Sequence, residues 1–205
     1  MSMELMALYK ELLNNIGSQE WWPASRNFSP IEWEICAGAI LTQNTNWKNV
    51  EKALDNLKEN RIDTPQKTLN IKTELLEQII RPSGFYKQKA ERLKILAKLI
   101  HRFKNFSEFK KNITREVLLE TKGIGPETAD SILLYACNRP FFVIDAYTKR
   151  IVKAFGVGIP EDYETLRKHF ENSIPKDIKI YKEFHALIVE WSKKERKQSR
   201  KIINK

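Results

Sequence analysis

"LLETKGIGPETADSILLYACNRPFFVID" spans residues 118–145 and holds the features on which the fold turns. Gly123 and Gly125 flank Ile124 between two apolar stretches. An aspartate, Asp145, follows the second glycine by twenty residues, behind the apolar run "FFVI". Glycine permits positive φ and the close approach of another backbone. Pro126 suits the first position of a helix, where its missing N–H has no intrahelical acceptor to lose. Thr114 can cap a short preceding helix that ends near Thr121. The segment therefore reads as two helices joined by a tight turn, with Ile124 packed inward. Amides in that turn and in the second helix's first turn lack internal acceptors, and the positive helix end lies behind them, which suits a phosphate. On the glycines alone, the same segment is an ordinary αα-corner with a glycine cap.

Helical periodicity continues on both sides. In "SPIEWEICAGAILTQ" (29–43), Ser29 is the expected N-cap and Pro30 the first helical residue. Trp33, Cys36, Ala37, Ile40 and Leu41 recur at spacings of three and four, a buried face. Trp47, Val50, Ala53, Leu54 and Leu57 repeat the pattern. Further helices are expected at 65–69, 73–80, 86–103, 106–111, 114–120, 126–137, 146–155, 161–172 and 179–198. The best strand signal is "PFFVID" (140–145), and it is short. The fold expected is all-α.

Composition narrows the partners. Lys plus Arg exceeds Asp plus Glu by 36 to 26, a net +10, which suits a polyanion. Seven basic residues and one acid in the tail 193–205 carry +6 of that excess, although a basic terminus is also what a solvated end looks like. No apolar run is long enough to span a membrane, and the acidic residues Glu4 and Glu11 in the first segment do not suit a signal peptide. Cys36 and Cys137, the two cysteines, read as buried apolar residues of a reducing compartment. His101, His169 and His185 are scattered, so neither a zinc site nor an iron–sulfur cluster is expected.

The pattern Leu119-x-x-x-Gly123-Ile124-Gly125-x-x-x-Ala129 resembles the helix-hairpin-helix motif that grips DNA phosphates. Together with "NRPFFVIDAYTKRI" and the 18-residue step from Glu127 to Asp145, it resembles the helix-hairpin-helix/Gly-Pro-Asp superfamily of DNA glycosylases. "ILTQNTNWKNVEKAL" (40–54) and "GFYKQKAERLKILA" (84–97) are similar to two further blocks of that superfamily, in the same order, so the likeness covers most of 28–155. The segments "WWP", "LTQNT" and "KGIGPETADSIL", and the absence of cysteine from 185–205, resemble the clusterless 3-methyladenine DNA glycosylase III branch.

The resemblance implies two interlocked helical lobes, 28–134 and 1–27 with 135–205, with DNA across the mouth between them. It assigns Asp145 to support of glycosidic-bond cleavage, and it places Glu127 where bifunctional members carry the lysine that forms a Schiff base. It implies base-pocket roles for Trp47 and for Trp22 or Trp21, whereas Trp33 and Trp191 read as core. It gives Asn44, with Gln43 as substitute, the task of filling the gap left by a flipped base. Lys122, Gly123, Ile124, Gly125, Glu127, Thr128 and Lys149 are the implied phosphate-binding residues, with Arg150 as a further contributor. The implied partner is double-stranded DNA with damaged bases, met by a monomer in the cytoplasm at the nucleoid. No cofactor is implied; a monovalent cation at the hairpin is the one ion the resemblance allows. The expected activity is monofunctional excision of alkylated purines. A bifunctional glycosylase/lyase of the endonuclease III kind and a non-catalytic DNA-binding module are its rivals.

Overall fold

The structure is a computed structural model. It describes the backbone of residues 4–19, 24–156 and 160–203, with side chains through residue 195. Among the described residues there are helices and no strand. The chain divides into two compact units, one of residues 23–138 and one of 1–22 with 139–205.

The unit of 23–138 is built around α2 (Ile31–Leu41), in which Trp33 through Gly38, Ile40 and Leu41 are all buried. A helix apolar all round belongs in the middle of a core. Around it stand α3 (Trp47–Glu59), α4 (Pro65–Asn70), α5 (Thr73–Ile79) and α6 (Tyr86–His101). The unit closes with α7 (Phe106–Asn112), α8 (Arg115–Glu120) and α9 (Pro126–Ser131), which runs into a turn of π-helix at Ile132–Ala136. α2 packs on α3, α6 and the π turn, while α6 packs on α4 and α5. Polar caps set the starts: Asn46, Thr64, Asn105 and Thr114 each accept an amide of the first turn of their helix. The start of α2 differs from the sequence expectation: Pro30 is its cap and Ile31 its first residue, no side chain accepts a first-turn amide, and the Ser29 amide donates to Asp63 O at 3.0 Å.

The second unit holds α1 (Leu5–Ile16), α10 (Ala146–Ala154), α11 (Tyr163–Ser173) and α12 (Ile178–Ile203). Its core is aromatic. Phe142 stacks on Phe170 at 4.5 Å and meets Tyr181 and Phe184 edge-on at 5.4 and 5.8 Å. This explains why "PFFVID" is extended yet forms no strand. The Phe142 amide donates to Glu171 Oε1 at 3.0 Å and the Ile144 amide to Tyr163 Oη at 3.5 Å, so side chains take the place of a ladder. The run is buried on every side without alternation: Phe142, Val143 and Ile144 are all in the core, and the chain emerges at Asp145. α12 continues as helix five residues beyond the 198 expected from periodicity.

Candidate active site and nucleic-acid interface

Asp145 caps α10. Its Oδ1 accepts the Thr148 amide at 2.7 Å and the Thr148 hydroxyl at 3.0 Å, and its Oδ2 lies 3.3 Å from His185 Nε2 on α12. Burial pushes this carboxyl's pKa up; the hydrogen bond and charge of His185 and the two Thr148 donors outweigh it and hold the group below the usual aspartate value. The result is a rigid, ionised carboxylate with 14% of its side chain exposed. Such a group can stabilise a developing cation or orient a water molecule. His185 has no sequence signature, because it lies forty residues from its partner and meets it only through the packing of α10 on α12.

The hairpin has the expected geometry. Gly123 has φ +86°, and Ile124 is buried. Arg115 clasps Asp130 across the two helices with bonds of 2.7 and 3.1 Å, and Asp130 is fully buried. The amides of Gly123, Gly125 and Thr128 have no acceptor among the described residues. Lys122 is exposed, with its ammonium 2.7 Å from Glu91, and Glu127 stands exposed in the first turn of α9. The Thr128 side chain differs from a phosphate-facing one: it is buried and accepts Gln43 Nε2 at 2.9 Å. Lys149 is half-buried on α10, and the Arg150 guanidinium lies over Tyr147 at 5.5 Å.

The turn between α2 and α3 is fastened to this hairpin. Gln43 Nε2 donates to Gly123 O at 3.1 Å as well as to Thr128, and Arg92 Nη1 donates to Gln43 Oε1. The Gln43 amide is therefore spent on the hairpin, whereas Asn44 is exposed with a left-handed backbone at φ +53°. Asparagine tolerates that conformation better than most residues. Trp47 is half-buried at the start of α3, its ring edge over Gly38 of α2; a Cβ placed there would sit 3.7 Å from the indole. Trp21 and Trp22 lie outside the described residues. Trp33 is buried, and Trp191 is half-buried against Phe155 at 5.5 Å rather than fully in the core.

Sequence reading missed two further features. Lys89 is completely buried on α6 and donates to Leu41 O at 2.8 Å and Ser83 O at 2.7 Å, joining the end of α2 to the turn before α6. Phe85, in that turn, is 62% exposed with φ +45°, a conformation in which a bulky residue is strained. The "GFYKQKA" block contains both, but only the folded chain shows which is hidden and which protrudes. Among the described residues no group of three or more His, Cys, Asp or Glu side chains could hold a metal ion, and no helix is long and apolar enough to cross a membrane.

The hairpin and the capped Asp145 both fall inside the segment that matches a known family. Residues 37–176 match the HhH-GPD superfamily of base excision DNA repair proteins. The chain belongs to that superfamily. This glycosylase is 47% identical over 194 residues to MJ1434 of Methanocaldococcus jannaschii, a provisionally assigned DNA repair glycosylase, covering 91% of this chain and 86% of that protein. It is similar to the crystal structure of H. pylori 3-methyladenine DNA glycosylase bound to 1,N6-ethenoadenine, with a TM-score of 0.79 at 38% identity over 94% of this chain and 97% of that one. A trapped endonuclease III–DNA covalent intermediate shares the fold, with a TM-score of 0.75 at 21% identity, covering 92% and 85% of the two chains. The chain is thus a DNA glycosylase of base excision repair with the endonuclease III-like all-α fold.

Proposed function

We propose that this glycosylase is monofunctional and hydrolyses the N-glycosidic bond of alkylated purines of the 3-methyladenine kind. The observation that carries the reading is Asp145, ionised, capped and hydrogen-bonded through both oxygens. Heterolysis sends the bonding electrons of the C1′–N bond into the purine and leaves a cationic, oxocarbenium-like sugar. A fixed carboxylate stabilises that cation, water then adds to C1′, and its proton leaves to solvent. An N3-alkylated adenine is already cationic, so it departs neutral without a protein acid. Electrostatic support then suffices, and none of the described side chains near Asp145 is needed as a proton donor.

Recognition follows from the other unit. The half-buried indole of Trp47 offers a π-face to a cationic base. Stacking there returns about 1–3 kcal/mol against the loss incurred when a base leaves the duplex. Asn44 and Phe85, exposed on two turns that Lys89 ties together, are suited to probing the helix, the aromatic as an apolar wedge between base steps. The similar H. pylori enzyme is a 3-methyladenine glycosylase, which favours the same substrate class here.

Glu127 supports the monofunctional assignment, since a carboxylate cannot form an imine with the abasic sugar. The test is incubation with alkylated duplex DNA, identification of released bases by mass, and inspection of strand integrity. Release of 3-methyladenine from an unbroken strand is the expected result. A covalent adduct after borohydride reduction would refute the monofunctional reading, with Lys122 the first residue to map. Trp47→Ala should lose most excision while keeping affinity for undamaged DNA; equal loss of both would give the indole a structural role only.

A further inference from the structure

Two oxygens of a carboxylate offer about four lone-pair directions between them. At Asp145 they are used unequally. Oδ1 receives both Thr148 donors, at 2.7 and 3.0 Å, which fills its acceptor capacity. Oδ2 has one contact, His185 Nε2 at 3.3 Å, and keeps one direction open. We propose that Oδ2 is the oxygen that works on the sugar cation, and that His185 is the positioning residue that holds it in place. The inference rests on the reading of Asp145 as the carboxylate of this reaction.

The physical reason lies in the side chain's last torsion. Rotation about the bond between Cβ and the carboxylate is soft, with broad minima. Anchoring Oδ1 alone leaves the other oxygen free to swing, whereas a donor on Oδ2 fixes the plane of the group. An ionised carboxylate only accepts, so the contact requires a proton on Nε2. His185 is itself held: it is 8% exposed, on a helix whose neighbouring residues Phe184, Ala186 and Leu187 are buried. At 3.3 Å the bond is longer than those from Thr148, so it orients Oδ2 while taking up less of its charge. A 1 Å misplacement of a reacting group lowers rates by about 10²-fold, which makes such a tether kinetically visible.

The experiment compares His185→Leu, which removes the donor, with His185→Gln, which keeps an N–H at similar reach. Single-turnover release of 3-methyladenine from alkylated duplex DNA is measured at saturating enzyme, with the DNA Kd and Tm of each variant. His185→Leu should slow release by about 10- to 100-fold with Kd unchanged. His185→Gln should be at least about tenfold faster than His185→Leu, and His185→Leu should add no further loss to Asp145→Asn. Wild-type rate in His185→Leu, equal slowing in both variants, or an additive loss on Asp145→Asn would overturn the proposal. Should a variant not fold, ¹⁵N NMR of the wild-type protein decides the matter. A proton on His185 Nε2 at pH 7 is expected, and an Nε2 without one overturns the tether. Full activity in Asp145→Asn would instead remove the reading of Asp145 itself; an inactive Asp145→Asn beside a wild-type His185→Leu removes only the role of His185.

Discussion

Gly123→Ala and Gly125→Ala, two residues apart, should fail in opposite ways. At Gly123 the backbone has φ +86°, and an added Cβ would sit 2.4 Å from Arg92 Cγ and 2.8 Å from Cδ and Nε. The left-handed backbone costs an alanine about 1–2 kcal/mol. Relief of the clash must swing Arg92 from Gln43, a partly exposed charged hydrogen bond with a net value of about 1 kcal/mol. The sum is about 2–3 kcal/mol, which for a chain of this size lowers Tm by about 4–12 °C. At Gly125, φ is −89° and a Cβ would meet nothing within 4 Å. Exchanging one weak N-cap for a poorer one costs under about 1 kcal/mol, so Tm should fall by no more than about 4 °C. Yet the methyl would stand beside amides that have no acceptor among the described residues and that we propose take a DNA phosphate. Loss of one charged hydrogen bond there weakens DNA binding by about tenfold or more. Calorimetry or thermal melting reads the first quantity, and fluorescence anisotropy on undamaged duplex reads the second. A Gly125→Ala protein that melts like Gly123→Ala, or that binds DNA like wild type, would refute the assignment of this turn to phosphate.

Other perturbations follow from single contacts. Arg115→Ala leaves the fully buried Asp130 without its bidentate partner and should destabilise the protein by about 3–5 kcal/mol in urea unfolding; Arg115→Met with Asp130→Leu should recover most of that loss. Lys58 and Lys67, at 2.7 and 2.8 Å, outweigh burial and lower the Asp63 pKa to about 2. Because the folded value lies below the unfolded one, the ion pairs contribute above about pH 4. The stability gap between wild type and Asp63→Asn, about 1–2 kcal/mol after solvent screening, should therefore close as pH falls toward 2. Burial and the nearby Arg92 charge lower the Lys89 pKa to about 8. The folded state sheds that proton before the unfolded chain does, so stability relative to Lys89→Met should rise between about pH 8 and 10.5. A neutral amine still has two N–H groups for Leu41 O and Ser83 O, so the clasp survives the titration.

Most of the helices and the hairpin could be read from the residues themselves, because their determinants are local. Apolar spacing places α2, α3 and α6, and the cap Thr114 sits where its side chain reaches the next amides. The left-handed turn at Gly123 and the cap at Asp145 depend on neighbours within a few positions. Three kinds of feature were hidden. The extended run before Asp145 had to be seen bonded to Glu171 and Tyr163 before a strand was excluded. Gln43 stood as a substitute for Asn44 until the fold committed its amide to Gly123 and Thr128, 80 and 85 residues away. His185 looked like any scattered histidine until α12 brought it to Asp145. Local sequence determines which backbone shapes and caps are affordable; only tertiary packing decides which oxygen, amide or amine is already taken. Hydrogen-bonding capacity is finite, and partners remote in the chain consume it.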